Sequence, residues 1–493
     1  MSQTSPHLSR QLGLLGLTAT GICSMIGASI YVVPFMIQRN IPGIGPYVLP
    51  AFLFAAIPAL FAAFAYIVLA SAMPRAGGSY LYASRAIQPY WGFIASFSQW
   101  FGLSIVIGVI AYVVVPFFRD VFLALGWEEV AKVLEIGGIR VSISLLILWF
   151  FTWINIRGIT SYEKTLIPLM TLMFLLGGVV IVAGLMLDQQ DFIMALTQKE
   201  NRTVDLIPAT WNWSTFFSAA ALLFSSFIGF DAIAQAGGEA KNPQRNLPKA
   251  IGLAILGVGL FYFSFTYAVY HTVPWQFVAE ESQTKDVSAA GLLSYVLPSW
   301  VGIIILLGAA IALLNDLPAM ILSVSRLVYS WSADGLFPRS LARIHPKFHS
   351  PYPAILLSSG VSTLGILGSH FAGDFFLGID IMVTSMMVNF LLMCLALVLF
   401  PRINPKLHQK IKVFPSQKLQ QTIGWLGIVF LSFFLIMHTR KDLVSELSAW
   451  YFHSTWIWMI VMSLASLYFL FRWKKIKTDQ PELIQKFTEL PKD

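Results

Sequence analysis

Residues 227 to 250 read FIGFDAIAQAGGEAKNPQRNLPKA, an apolar run holding a glycine and a carboxylate that passes into a proline-punctuated basic loop. Asp231 follows Ile228, Gly229 and Phe230 in sequence of membrane-depth character, where a carboxylate is costly and a glycine weakens the helix. A cost of that kind points to a site.

The rest of the chain supports that depth. Over 493 residues, 57% are hydrophobic and 11% charged, whereas water-soluble globules approach a quarter charged. The chain therefore reads as an all-α polytopic membrane protein. About 20 apolar residues cross a bilayer, and twelve stretches qualify: 11–38, 46–72, 86–118, 140–156, 163–187, 213–236, 248–273, 288–331, 353–371, 374–400, 422–439 and 451–472, here spans 1 to 12. The two longest are expected to include interfacial or loop-helix ends. The first apolar segment is far longer than a cleavable signal core, so span 1 is read as permanent.

Lys and Arg placement orients the chain. With residues 1–10 inside, 23 of the 32 basic residues fall on the inner side, so both termini are expected in the cytoplasm. The net charge of +8 is thus a topology signal. No folded domain carries a basic face for nucleic acid, and none is expected as a partner. Cys23 and Cys394 lie in apolar segments and read as buried small hydrophobes. The absence of an organelle-targeting segment fits a bacterial inner membrane. Nothing in the sequence specifies an oligomeric state.

Two spans look interrupted at corresponding places, five segments apart. Span 1 reads GICSMIGASIYVVP from Gly21 to Pro34, and span 6 reads FSSFIGFDA from Phe224 to Ala232. Paired interruptions of this kind point to an inverted-repeat transporter with its binding site between the broken helices. A broken helix offers backbone N–H groups to an anion at the start of its second half and carbonyls to a cation at the end of its first half. A zwitterionic amino acid supplies both charges.

Four blocks carry a resemblance: the first-span GICSMIGASIYVVP; AMPRAGGSYLYASRAIQPYWGF at 72–93; FIGFDAIAQAGGEAKNPQRNLPKAI at 227–251; and SRLVYSWSADGLFPRSLARIHPKFHSPYPA at 325–354. In this order the chain resembles the amino acid/polyamine/organocation superfamily of permeases, from about Leu12 to Phe400. The resemblance implies a ten-helix core (11–400) of two inverted repeats, 11–187 and 213–400, with broken helices 1 and 6. A cytoplasmic loop (401–421), peripheral spans 11 and 12 (422–472) and a cytoplasmic tail (473–493) follow. The tail is expected to be partly disordered or interfacial.

The resemblance also implies roles. The family's Gly-x-x-Ile-Gly-x-Gly pattern falls on Cys23, Ser24, Met25, Ile26, Gly27, Ala28 and Ser29, so amides around Gly27, Ala28 and Ser29 would hold the substrate carboxylate. Ser29 stands where the family prefers glycine. Carbonyls near Ser225, Ser226 and Phe227 would receive the ammonium group, beside Gly229, with Phe227 or Phe230 as an aromatic gate.

Coupling is implied elsewhere. The position where many proton-coupled relatives carry a lysine falls near Met173, and the span 8 residues facing the same cation position are Asn315 and Asp316. Asp316 is therefore the leading candidate to bind a proton or sodium ion. Asp231 has three readings: proton carrier, coupling residue, or cap of the second half-helix. Glu239 is expected to pair with Arg85 or Arg326 as an inner gate, and Ser79, Tyr80, Leu81, Tyr82 and Arg85 are read as beginning span 3.

No HExxH, CxxC pair, phosphate loop or nucleophile elbow occurs. No enzymatic activity and no cofactor are expected beyond a coupling proton or sodium ion. The favoured function is a secondary active transporter of a small amino acid. Neutral amino acids are the first choice of substrate, and a cationic amino acid or polyamine exchanger is the second. A sensor that binds amino acids without moving them shares the same sequence signature.

Overall fold

The computed structural model describes residues 8–27, 29–372, 376–445 and 450–491. Among these, twelve helices are long and apolar enough to cross a membrane. Helices are the natural outcome, because a spanning segment must satisfy every backbone N–H and C=O within itself. Leu53, Leu146, Leu175, Leu256 and Leu260 project outward as the apolar surface such a bundle presents to lipid.

The helices run Leu14–Asn40, Gly45–Ala72, Pro89–Ala124, Gly137–Ile156, Ile159–Met186, Trp213–Gly238, Pro243–Thr272, Ser299–Ala333, Tyr352–Phe371, Leu377–Ile403, Gln417–Val444 and Ser454–Asp479. They correspond one for one to the twelve expected spans. Spans 1 and 6 are the most enclosed, with 88% and 83% of their most apolar window buried, against 28% for spans 5, 11 and 12. The two interrupted helices therefore stand at the centre. Spans 2, 5, 7, 8 and 10 pack around them.

Three boundaries differ from expectation. The long eighth stretch divides into a short helix, Ala289–Leu293, and the span proper from Ser299, because Pro298 sets the new start. Residues 78–86 do not begin span 3. They form their own helix, Gly78–Ala86, entered through Gly77 at φ +94° and separated from span 3 by an extended Gln88 and by Pro89. The tail is docked onto the protein: after span 12 a 3-10 turn, Pro481–Phe487, buries Leu483 and Phe487. Those two apolar side chains give an otherwise charged segment an anchor.

The face carrying residues 8–13, 236–243 and 333–351 is termed the near face, and the opposite end of the bundle the far face. On the near face the segments beside spans 1 and 6 are joined by backbone. The Leu12 amide donates to the Glu239 carbonyl at 2.9 Å, and the Lys241 amide donates to the Leu12 carbonyl at 2.8 Å.

Candidate functional site

Span 1 is two helices. The first, Leu14–Met25, ends at Ile26 (φ −90°, ψ 88°), and the second, Ser29–Asn40, resumes beyond Gly27. Span 6 loosens over a longer stretch. Helix Trp213–Leu223 tightens to a 3-10 turn at Phe224–Phe227, the chain extends at Ile228 (φ −80°, ψ 132°), and a single helical turn follows at Ala232–Gln235.

Gly229 makes the two breaks one structure. It adopts φ +132°, which side-chain-bearing residues rarely reach, and a Cβ there would stand 2.1 Å from the Ser24 carbonyl oxygen. Only a bare backbone lets the span 6 break rest on the last turn of the first half of span 1. The Ser24 hydroxyl is buried beside this contact and has no hydrogen-bond partner among the described residues.

The freed carbonyls are partly spoken for. Met25, itself buried, has its carbonyl capped by the Tyr262 hydroxyl of span 7 at 2.5 Å. The Gly27 amide also reaches that oxygen, at 3.3 Å. In span 6 the Ser225 carbonyl accepts from the Ile228 amide at 3.2 Å, and the Ser225 hydroxyl donates back to Leu222 at 2.8 Å. Ser226 is buried. Ala28 and the side chain of Ser29 lie outside the described residues.

The two phenylalanines face different partners. Phe227 sits edge-on to Phe52 (5.4 Å between ring centres) and to Tyr262 (6.2 Å), so it closes the space between spans 2 and 7. Phe230 stacks on Phe390 at 5.0 Å and meets Tyr66 edge-on at 5.6 Å. Phe227 shares its aromatic neighbour, Tyr262, with the end of the broken helix. Phe230 packs away from it, against span 10.

Asp231 anchors a buried polar chain. Its carboxylate accepts from the Gln99 side-chain amide of span 3. Gln99 in turn accepts from the Ser79 hydroxyl at 2.6 Å and the Gln235 amide at 3.2 Å. Ser79 and the Tyr66 hydroxyl lie 2.7 Å apart, and Asn389 donates to Tyr66 at 2.8 Å. The chain ties spans 2, 3, 6 and 10 and the Gly78–Ala86 helix together without leaving the interior. Asp231 also stands at the start of the Ala232–Gln235 turn, yet its side chain caps no amide there.

Asp316 is placed differently. Its carboxylate abuts the break of span 1, where a Cβ added to Gly27 would stand 2.8 Å from Oδ2. Asp316 Oδ1 is buried and has no hydrogen-bond partner among the described residues. Beside it, the Asn315 amide reaches the Cys23 sulfur at 2.9 Å and the Met173 sulfur at 3.8 Å. Spans 1, 5 and 8 thus meet at Cys23, Met173 and Asn315, with Asp316 facing the Gly27 bend.

Desolvated ion pairs link the segments on the near face. Arg326 grips Glu239 with two bonds, Nε to Oε2 at 3.0 Å and Nη2 to Oε1 at 2.5 Å, and both residues are buried. Of the two arginines expected to serve Glu239, it is Arg326. Arg85 pairs instead with Asp334, 2.7 Å away, and Tyr80 donates to the same carboxylate oxygen at 2.9 Å. The reason is the separate Gly78–Ala86 helix, which turns Arg85 toward the end of span 8. Nη1 also donates to the Ser84 hydroxyl at 2.8 Å, and the other donors reach the tail: Nη2 to the Lys486 carbonyl at 3.0 Å and Nε to the Glu489 carbonyl at 3.3 Å, with the Phe487 ring 5.2 Å from the guanidinium.

The far face is held by wetter contacts. Arg39 meets Asp286 at 2.8 Å, Arg202 meets Glu281 at 2.7 Å and Glu280 at 3.1 Å, and Lys285 meets Glu281 at 2.6 Å. Burial raises the affinity of the Glu281 carboxyl for its proton, but the bonds from Lys285 and Arg202 outweigh it and hold the group below its ordinary value.

Sequence reasoning missed Gln99, Tyr66, Asn389, Gln235, Tyr262 and Asp334. The signal for Gln99 and Asn389 was present: a carboxamide at membrane depth in spans 3 and 10 must find a polar partner.

Paired broken helices within twelve spans define an integral membrane protein of the transporter class. The family described as Amino acid permease matches residues 12–471, and the chain belongs to it. It is 28% identical over 371 residues to "Branched-chain amino acid permease BcaP" of Bacillus subtilis (strain 168), covering 73% of this chain and 75% of that one. It is 28% identical over 383 residues to "Cationic amino acid transporter 4" of Mus musculus, covering 72% of this chain and 55% of the mouse protein. A third relative, "Methylthioribose transporter" of Bacillus subtilis (strain 168), is 26% identical over 379 residues, with 74% and 76% covered. The family and these relatives are transporters, not enzymes.

Proposed function

We propose that the chain is a secondary active permease that moves a small amino acid by alternating access, driven by a proton or sodium gradient. Its two inverted halves would be 11–187 and 213–400, and the near face would be the cytoplasmic face of a bacterial inner membrane, by the bias of its basic residues. The observation that carries the reading is the seat of Gly229 on Ser24, which places both broken helices around one buried spot.

A substrate carboxylate would meet amides around Gly27, Ala28 and Ser29, and its ammonium the carbonyls near Ser226 and Phe227, since opposite charges suit the two kinds of helix end. Phe227 is the better aromatic gate of the two, because its ring contacts Tyr262, the residue that caps Met25. Asp316 is the proposed coupling group. An unpartnered carboxylate oxygen against a helix break is a costly arrangement that a sodium ion or a proton would relieve. Asp231 Oδ1 also has no hydrogen-bond partner among the described residues, but the Gln99 bond to its other oxygen makes Asp231 better suited to holding the second half of span 6.

Uptake of labelled amino acids into proteoliposomes tests this, with and without sodium and at two external pH values. Asp316→Asn is expected to abolish gradient-driven accumulation while counterflow of labelled substrate persists. Unchanged accumulation in that variant rejects Asp316 as the coupling group. A wild type with no counterflow of any amino acid rejects transport in favour of sensing.

A cationic substrate or an amine exchanger is the second reading, favoured by the same two buried carboxylates. It predicts uptake of diamines or lysine that ignores both ion gradients.

A further inference from the structure

A cavity of about 1360 Å³ opens on the near face, between the start of span 7, the end of span 2 and the segment before span 11. The charged side chains lining it, among the described residues, are Arg10, Arg75, Arg245, Lys249 and Lys412, all cationic. Asn242, Pro243 and Gln244 also line it. The positive end of the 30-residue helix Pro243–Thr272 therefore lies at the same spot, and Asn242 supplies no side-chain cap there. Arg245, Lys249 and Lys412 are solvent-exposed. Cations, a helix N-terminus and space for a ligand converge on one kind of group, a phosphate.

The wall of the cavity decides where that phosphate comes from. Ile67 and Leu253 line it, and the apolar surface continues along span 7 through Leu256 and Leu260, both well exposed. Between them Gly257 leaves open space, with no atom within 4 Å of where its Cβ would stand. Spans 2 and 7 pack against each other, so this surface follows their seam into the apolar girdle. A soluble anion would use the cations and leave the seam idle. A phospholipid uses both, its headgroup among the basic residues and an acyl chain along span 7.

We propose that this cavity is a binding site for an anionic phospholipid of the leaflet on the near face, with Arg245, Lys249 and Lys412 holding the headgroup phosphate. The proposal does not rest on the coupling assignment.

The test uses the full chain in detergent, reading its thermal unfolding midpoint against added phosphatidylglycerol, phosphatidylcholine or inorganic phosphate. Phosphatidylglycerol is expected to raise the midpoint, and the other two to leave it in place. In Arg245→Gln/Lys249→Gln/Lys412→Gln the apparent affinity for phosphatidylglycerol should fall by at least about tenfold, a lower bound for the loss of three surface cations. A control, Lys406→Gln/Lys410→Gln/Lys418→Gln, removes the same charge from the same face outside the cavity and should stay within about twofold. Native mass spectrometry of Lys249→Gln alone, counting retained lipid, keeps the test alive if the triple variant folds poorly.

Equal loss in the cavity and control variants would overturn the proposal in favour of general surface charge. An equal response to inorganic phosphate would overturn it in favour of a free-anion site. Undiminished lipid binding in the triple variant, or undiminished retention in Lys249→Gln, would overturn it outright.

Discussion

The ion pairs on the two faces of this permease sit in different surroundings. On the near face the Arg326–Glu239 pair is bidentate and sealed from water, with Arg85–Asp334 sealed beside it. On the far face Arg39 and Asp286 retain 34% and 72% of their side-chain exposure and Arg202 retains 35%, while Glu281 between Arg202 and Lys285 is itself buried. Removing one partner of a desolvated pair while the face stays closed strands a buried charge, at about 3–5 kcal/mol. Separating an exposed pair costs about 0–1 kcal/mol, since water replaces each partner.

The largest test of this contrast is Glu239→Gln, which leaves the Arg326 charge buried and without a carboxylate. A shift of about 3 kcal/mol toward a near-open state would raise the maleimide labelling rate of Cys23 by about two orders of magnitude. Cys23 is buried next to Asn315 in this closed form, and Cys394→Ala removes the only other thiol. An inert Cys23 would show that this pair is not the lock. The companion Glu239→Leu/Arg326→Met separates the two contributions, because replacing both charges by apolar groups restores much of the packing without stranding either one. It should label more slowly than the single variant.

Ending the chain after Gln485 removes the carbonyls and the ring around Arg85. Bonds to a charged group contribute about 1.5–3 kcal/mol, so the unfolding midpoint should drop while counterflow persists. An unmoved midpoint would make the docked tail incidental. On the far face Arg39→Gln should change stability by less than about 1 kcal/mol, and less still in high salt. A larger loss would erase the contrast.

The smallest effect is a pH response. Because the folded-state affinity of Glu281 for protons is lowered, its contribution is present at neutral pH and fades as pH falls through the carboxylate range, below about 4.3. Amide exchange over residues 275–285, compared with the near-face segment 236–243, reads it directly. Equal responses on both faces would contradict the assignment.

Much of this contrast was legible in the sequence, though unevenly. Gly229 could be found because a glycine beside a carboxylate in an apolar run breaks local rules, and those rules act along the chain. Its contact with Ser24 could not be found, since that depends on how two distant helices meet. Asp231 kept three readings for the same reason: Gln99, the residue that narrows them, lies 132 positions away. The choice between Arg85 and Arg326 turned on the rotation of one short helix, which Gly77 and Pro89 set through backbone angles. The resemblance implied that Met173 and Asn315 face one position, and Asn315 reaches the Met173 sulfur at 3.8 Å, whereas the docking of the tail had only the spacing of Leu483 and Phe487 to announce it.

The tail contact also imposes an order on biosynthesis. The carbonyls of Lys486 and Glu489 that receive the Arg85 guanidinium are made 401 and 404 residues after it. Until the ribosome has passed all twelve helices, that guanidinium lacks part of its shell and the neighbouring helix is not fully seated. The nascent bundle therefore passes through insertion with that part of the near face unfinished until residues 486–489 have been made.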